Sequence, residues 1–324
     1  EAILWDFAGH RVAQRALDYF GIDPQKVPPL TDTFGQQGVL SRQGAEATGL
    51  MAGTPLTYRA GDQPNNAMSL GVLHPGEVAA TGGTSGVIYG VADRLISDPE
   101  SRVNSFAHVT HTVTDPRIGM LLCINGAGIE HAWMKHHVAH PGATYEEMER
   151  AMQSVPIGCD GLTVLPFGNG AERMLGNVFP GAQVNHLDFN RHGRGHLIRA
   201  GLEGVAFAVA HGFTIFRALG FNPSVIRVGN DNLFRSAIFG TTLAALLQCR
   251  IEVHAVTGAV GAALASIHQG SGHALAERIA GNRTECVYEP EGHASEYQAA
   301  YAQWVDDLQG LRAHPGWPRG NTLR

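Results

Sequence analysis

Val225-Ile226-Arg227-Val228-Gly229-Asn230-Asp231-Asn232, followed by the apolar-rich stretch from Leu233 to Leu247, reads as a short buried strand that turns into a helix. Arg250 to Val253 repeats the strand, and Gly258-Ala259-Val260-Gly261-Ala262-Ala263 opens a third helix that runs on through Ala265. Upstream, Leu202, Val205, Val209, Phe213 and Phe216 recur at helical spacing until Gly220 ends the pattern. Strands and helices in alternation give an α/β fold with the layout of a nucleotide domain.

Working outward, Val78-Ala79-Ala80, the turn Gly82-Gly83-Thr84-Ser85-Gly86 and Val87-Ile88-Tyr89 predict a β-hairpin. Before it, a helix around Val12 to Phe20 is closed by Gly21, a loop rich in Pro and Gly follows, and Leu56 to Arg59 reads as a strand. A boundary just ahead of the hairpin, near Pro75, divides the chain into residues 1–75 and 76–324. From His293 onward a moderately polar helix is expected, ending at Pro315, Pro318 and Gly320.

With 324 residues, 44% of them hydrophobic, the chain can bury one large core or two ordinary ones. The formal charge of −6 and the lack of a dense basic run argue against nucleic acid and anionic membrane as partners. The longest apolar stretches, Gly204 to Val209 and Ala259 to Ile267, fall short of the ~20 residues of a membrane span. Cys123, Cys159, Cys249 and Cys286 are widely spaced, as expected of reduced thiols in a cytoplasmic protein. The opening Glu1-Ala2-Ile3-Leu4-Trp5-Asp6 has no initiator Met and no signal-peptide pattern, and reads as a start in mid-domain.

Phosphate binding needs backbone N–H groups aimed at an anion, and glycine supplies the turn geometry and the close approach. Three glycine-centred turns offer this: Gly82 to Gly86, Gly229 to Asn232, and Thr257 to Gly261. A P-loop is absent, since no G-x-x-x-x-G-K-[ST] occurs and the only lysines are Lys26 and Lys135. Each turn also has a plainer reading. By itself Gly83-Thr84-Ser85-Gly86 reads more readily as a simple hairpin turn than as a phosphate clamp, Asn230 to Asn232 as a helix cap, and Gly258 as a packing glycine.

Taken in order, Gly61-Asp62-Gln63, Gly83-Thr84-Ser85-Gly86, Leu165-Pro166-Phe167 with Glu172-Arg173, Leu202-Glu203-Gly204-Val205-Ala206-Phe207 and Gly258-Ala259-Val260-Gly261-Ala262-Ala263 resemble the second half of the FGGY carbohydrate kinases, the xylulokinase branch in particular. The resemblance covers nearly the whole chain. It implies an actin-like ATPase lobe of ribonuclease-H-like architecture carrying the nucleotide site, preceded in residues 1–75 by the end of a first, sugar-binding lobe. By position, it makes Gly83, Thr84 and Ser85 phosphate candidates and Gly229, Asn230 and Asn232 adenosine candidates, with ATP and Mg²⁺ as cofactors. Val228 to Asn232 departs from the run of glycines usual there, and Pro64-Asn65-Asn66 reads as an insertion after Asp62. The implied partner is a small-molecule sugar, D-xylulose or another ketose or polyol, and a homodimer is compatible with the resemblance.

A carboxylate within hydrogen-bond reach of the acceptor hydroxyl can take its proton as the phosphoryl group transfers. Asp62 stands where the family keeps its catalytic aspartate, and Gln63 beside it becomes a sugar-hydroxyl candidate. On residues alone, Asp62 reads as a cap for a helix from Asn66 to Val72. Glu146, Glu147, Glu149, Asp306 and Asp307 read as solvated helix faces, and Glu172-Arg173 as an ion pair, a surface loop or a substrate contact. His131, His136, His137 and His140 fall on one helix that reads as exposed; the His136/His140 spacing suits zinc, but no H-E-x-x-H or third ligand accompanies it. The family's first-lobe Asp-Gly-Thr loop does not occur here, so the resemblance makes this chain a C-terminal portion. The reading from another class is an actin-like nucleotide-binding module without sugar chemistry.

Overall fold

The computed structural model describes residues 4–230, 232–267, 284–290, 292–314 and 316–317. Asp231, Pro315, Pro318 and Gly320 lie outside the described residues. The chain begins with β1 (Trp5–Asp6), β2 (Arg11–Val12), α1 (Gln14–Phe20), β3 (Phe34–Val39), α2 (Arg42–Thr48), β4 (Pro55–Tyr58) and α3 (Asp62–Ser69). Four antiparallel strands follow, β5 (Val78–Gly82), β6 (Gly86–Ala92), β7 (Asn104–Ala107) and β8 (Ile118–Ile124), then α4 (Ala127–Trp133) and α5 (Tyr145–Gln153). After the small pair β9 (Thr163–Leu165) and β10 (Gln183–Asn185) come α6 (Arg194–Ala218), β11 (Val225–Gly229), α7 (Ala237–Leu247), β12 (Arg250–His254), α8 (Gly258–Ile267), β13 (Thr284–Tyr288) and α9 (Ala294–Ala313).

Seven strands make the central sheet, in the order β13-β12-β11-β5-β6-β8-β7. β11 runs parallel to both β5 and β12, and the other pairings in this sheet are antiparallel. Residues alternate between the two faces of a strand. Val78, Ala80 and Ile88 accordingly join the large core built on α6 and α7, while Ala79, Tyr89 and Val91 pack with Ala67 and Leu70 on the α3 side. Covering on both faces explains why β5 and β6 read as nearly unbroken apolar runs.

α6 is 25 residues long and buried over most of its surface. At Gly204 a Cβ would overlap the Val164 carbonyl, so glycine lets this helix lie directly on β9. The buried Arg199–Glu203 pair, 2.7 Å apart, fastens α6 to the end of α5, where Arg199 also donates to the carbonyls of Met152 and Val155.

On the opposite face α3 packs on α8. The Asn65 side chain donates to the Gly258 carbonyl at 2.8 Å, and Gly258 and Gly261 leave room for Asn66 and Ser69. This is the packing-glycine reading of the Thr257 to Gly261 turn. No helix among the described residues is long and apolar enough to cross a membrane.

Several boundaries differ from those expected. α3 begins at Asp62 rather than Asn66, because Pro64 falls in the first turn, where a missing N–H costs nothing. The helix expected from Leu233 is a tight turn over Asn232–Arg235 followed by α7, which the Ser236 side chain caps through the Phe239 amide. α4 passes into a wider turn over Met134–Val138 and stops at Ala139, so His140 lies beyond the helix, where it faces Glu147.

Candidate functional site

β5 and β6 remain paired up to Gly82 and Gly86, which leaves Gly83-Thr84-Ser85 as a three-residue tip. The tip is held by its carbonyls: Gly83 O accepts the Gly128 amide at 3.1 Å and Thr84 O the Ile129 amide at 3.2 Å, both from the start of α4. In a trans peptide the N–H points opposite to the C=O. The amides of Thr84 and Ser85, which follow those carbonyls in the same peptide units, therefore point away from α4, and neither donates to a backbone carbonyl among the described residues. Two convergent amides at the tip of a hairpin are the geometry an anion needs.

Beside this tip lies a cavity of about 490 Å³, lined on one side by Gly83, Thr84 and Gly128 and closed by α4, α5 and the Asn232–Arg235 turn. That is room for a small organic ligand. Arg235 contributes a positive charge, while Glu146 and Glu149 contribute carboxylates. Glu149 is engaged, accepting from the Ser236 hydroxyl at 2.7 Å and the Ile238 amide at 3.1 Å, so it ties α5 to the start of α7 instead of facing solvent.

His131 lines the same cavity and is buried, contrary to the exposed helix expected for the histidines. Its ring stacks on Tyr145 with centroids 5.2 Å apart, and the Lys135 ammonium sits 4.2 Å over the same tyrosine. Burial, aided by the Lys135 charge, pushes His131 down to about 4, so the ring is neutral at ordinary pH. Its Nδ1 has no hydrogen-bond partner. No group of three His, Cys, Asp or Glu side chains able to hold a metal ion occurs among the described residues.

Behind His131, Glu130 is enclosed between α4 and α6 against Gly201 and Met134, with neither carboxyl oxygen bonded. Burial alone pushes it up to about 8. A carboxyl raised in this way is accommodated in its neutral form below ~4.5, and stability falls as pH rises from there toward the folded value. Glu130→Met is expected to raise the melting temperature at pH 8 and flatten its decline between pH 5 and pH 8, since ionising this site costs on the order of 4 kcal/mol. A variant with an unaltered pH profile in thermal melts would show that the carboxyl is relieved by water.

The structure brings Gly83, Thr84 and Asn232 together at the cavity. Asn232 adopts a left-handed φ of 37°, and its side-chain amide comes within 4.0 Å of where a Gly83 Cβ would stand. The other nucleotide candidates lie apart from the lining. Ser85 places its hydroxyl in hydrogen-bond reach of the Cys123 thiol. Gly229 is paired with His254 inside the sheet, and Asn230 donates its side-chain amide to Glu285 on β13, tying the edge strand.

Asp62 is exposed as the first residue of α3, with Gly61 in the N-cap position. Gln63 faces Thr81 near the end of β5, so the start of α3 shares the edge of the sheet that bears the hairpin tip. Gly126-Ala127-Gly128 is a further glycine-centred turn, directly after the apolar β8. Asp307 also differs from its expected solvated place: it accepts from the Thr163 hydroxyl at 2.5 Å and pairs with His186 at 2.8 Å.

No family model matches the chain. It is 28% identical over 210 residues to xylulose kinase of Bacillus subtilis strain 168, covering 64% of this chain and 41% of that protein. Gluconokinase of the same organism is 28% identical over 224 residues, covering 66% of this chain and 40% of the relative. The chain thus spans about two fifths of the length of these curated relatives. The crystal structure of xylulose kinase from Rhodospirillum rubrum superposes with a TM-score of 0.80 at 26% identity, over 95% of this chain and 62% of that one. In sequence and fold the chain is thus similar to sugar kinases of the xylulose kinase and gluconokinase type, and its mixed α/β architecture is that of the actin-like ATPase fold.

Proposed function

We propose that the chain carries the nucleotide lobe of an ATP-dependent sugar kinase that converts D-xylulose to D-xylulose 5-phosphate. The observation that carries this reading is the Gly83-Thr84-Ser85 tip, held on α4 by its carbonyls so that the amides of Thr84 and Ser85 are left for phosphate oxygens. The nucleotide base then occupies the cavity between the neutral His131–Tyr145 stack and Asn232, with Arg235 offsetting phosphate charge.

In this reading Asp62 takes the proton of the attacking sugar hydroxyl and Gln63 orients that hydroxyl, since Gln63 lies beside Thr81 at the end of β5 that leads into the hairpin tip and Asp62 directly precedes it on α3. Mg²⁺ would come bound to the nucleotide's phosphate oxygens, as no cluster of carboxylates to hold it occurs among the described residues, and it would neutralise charge on the transferring group. Gly229 and Asn230 act on adenosine only through the turn they shape. The division of the chain near Pro75 belongs to the same proposal. α3 lies before that point yet packs on α8 after it, so the base rides on the helix layer of the nucleotide lobe. A cytoplasmic location follows from the need for ATP.

Sugar-dependent ATP turnover by the full-length gene product tests the reading. Pentulose is expected to raise ADP release at least ~10-fold over the sugar-free rate, toward the ~10 s⁻¹ typical of enzymes. Stimulation by gluconate in place of pentulose would move the substrate to the gluconokinase type, and ADP release indifferent to every sugar would leave only a nucleotide-binding module.

A further inference from the structure

Glu172 is completely buried, 47 positions along the chain from the residue it holds. Its carboxylate accepts the Asn125 amide with both oxygens, at 2.9 and 3.2 Å, and the Gly126 amide as well. Its own backbone is fixed on every side. The Glu172 amide donates to the Val178 carbonyl at 2.7 Å, and its carbonyl accepts from Leu175 and Asn177. Asn125 is clasped a second time, its side chain donating to the Ala171 carbonyl at 2.6 Å while Asn169 donates to the Asn125 carbonyl at 3.0 Å. Gly126 lies so close to the Pro166 carbonyl that a Cβ there would overlap it.

These contacts divide the amides at the start of α4. Asn125 and Gly126 give theirs to Glu172, whereas Gly128 and Ile129 give theirs to the hairpin carbonyls. We propose that Glu172 is the positioning residue of the phosphate hairpin: it sets the place of the α4 N-terminus, which in turn sets the peptide planes of Gly83-Thr84 and Thr84-Ser85. The inference rests on the nucleotide reading of that hairpin given above.

An ionised carboxylate only accepts, and so matches two amide donors; a protonated one turns an O–H on them. Burial pushes Glu172 up to about 7, against the two amides that favour its charge. Its grip on α4 is therefore present above that value and lost below it. The other charged or titratable groups at this corner are the Arg173 guanidinium and the Cys123 thiol on β8, which burial raises above its ordinary value.

Calorimetric titration with ADP of the wild-type chain and Glu172→Gln, at pH 8 and pH 6, provides the test. At pH 8 the variant is expected to bind at least ~5-fold more weakly, because one acceptor oxygen has become a donor aimed at donors. On going to pH 6 the wild type is expected to lose ~5-fold or more affinity beyond any loss in the variant. Ionisation of the ADP terminal phosphate, with pKa₂ ≈ 6, acts on both proteins alike and cancels in that ratio.

Equal affinity and equal pH dependence in the two proteins would overturn the positioning role while leaving the nucleotide reading intact. Should Glu172→Gln not fold, amide resonances of the ligand-free wild type decide: those of Thr84 and Ser85 are expected to titrate with the same midpoint as Asn125 and Gly126. Stationary Thr84 and Ser85 resonances beside titrating Asn125 and Gly126 would sink the proposal. Shared titration in a protein that binds no ADP would support the positioning of the hairpin and reject the nucleotide reading instead.

Discussion

Exchanging Asp62 for asparagine is expected, on the proposed kinase reading, to lower kcat by ~10² to 10⁴, the usual worth of a positioned general base. Asparagine keeps the size of the side chain but cannot take the hydroxyl proton. The competing reading, a helix cap, makes a different prediction, and the structure has already weakened it. Gly61 holds the N-cap position of α3, and among the described residues the Asp62 carboxylate accepts the adjacent Gln63 amide at 2.8 Å and no other donor. What Asp62 gives the helix is a charge near its positive end, worth up to ~1 kcal/mol in an exposed place. Melting should therefore change little. ADP affinity should change little as well, since the cavity is lined by other residues. Steady-state kinetics with saturating ATP and pentulose make the measurement, and a variant that keeps more than about a third of wild-type kcat removes Asp62 from the mechanism, because loss of a true base costs ~10² or more.

What the sequence made legible is what local chemistry determines. Gly21 ends α1 with a left-handed φ of 61°, as a closing glycine should. The alternation from Leu202 to Ala265 appears as α6, β11, α7, β12 and α8 in that order, because a 3.6-residue period and a short apolar run each favour one element. The hairpin tip was visible too.

Contacts between distant parts of the chain were not legible. Nothing in Glu172-Arg173 announces a carboxylate that holds amides 47 positions away. Likewise, nothing around His131 distinguishes its buried ring from the exposed rings of His136 and His137. Asn230 illustrates the same limit: its place in a glycine-centred turn suggested a ligand contact, yet its side chain reaches across to Glu285. Local pattern identifies the turn, while the packing of the sheet edge determines which way each side chain of the turn points.

Gly128→Ala places the hairpin's attachment under direct test, since two opposing effects fix the sign of its outcome. In a helix, alanine in place of glycine is favoured by roughly 1 kcal/mol, so an α4 that merely lies near the hairpin would gain stability. In this structure, however, a Cβ on Gly128 would overlap the backbone carbonyl of Gly83, and a backbone atom cannot swing aside as a flexible side chain can. Relief requires α4 and the tip to separate, which breaks the Gly128-to-Gly83 and Ile129-to-Thr84 hydrogen bonds together. Overpacking of this kind costs ~1 to 3 kcal/mol, enough to outweigh the helical gain. The melting temperature is thus expected to fall, and ADP affinity to drop by ~10-fold or more as the Thr84 and Ser85 amides turn from their present direction, tenfold being worth 1.4 kcal/mol. By contrast, a Cβ on Gly83 itself would meet nothing closer than 3.7 Å, so Gly83→Ala is expected to be much milder. Thermal melts and calorimetric ADP titration of the two variants make the comparison. A Gly128→Ala protein that melts higher than wild type and binds ADP equally well would show that α4 does not hold the hairpin, and would leave the direction of its amides without a cause.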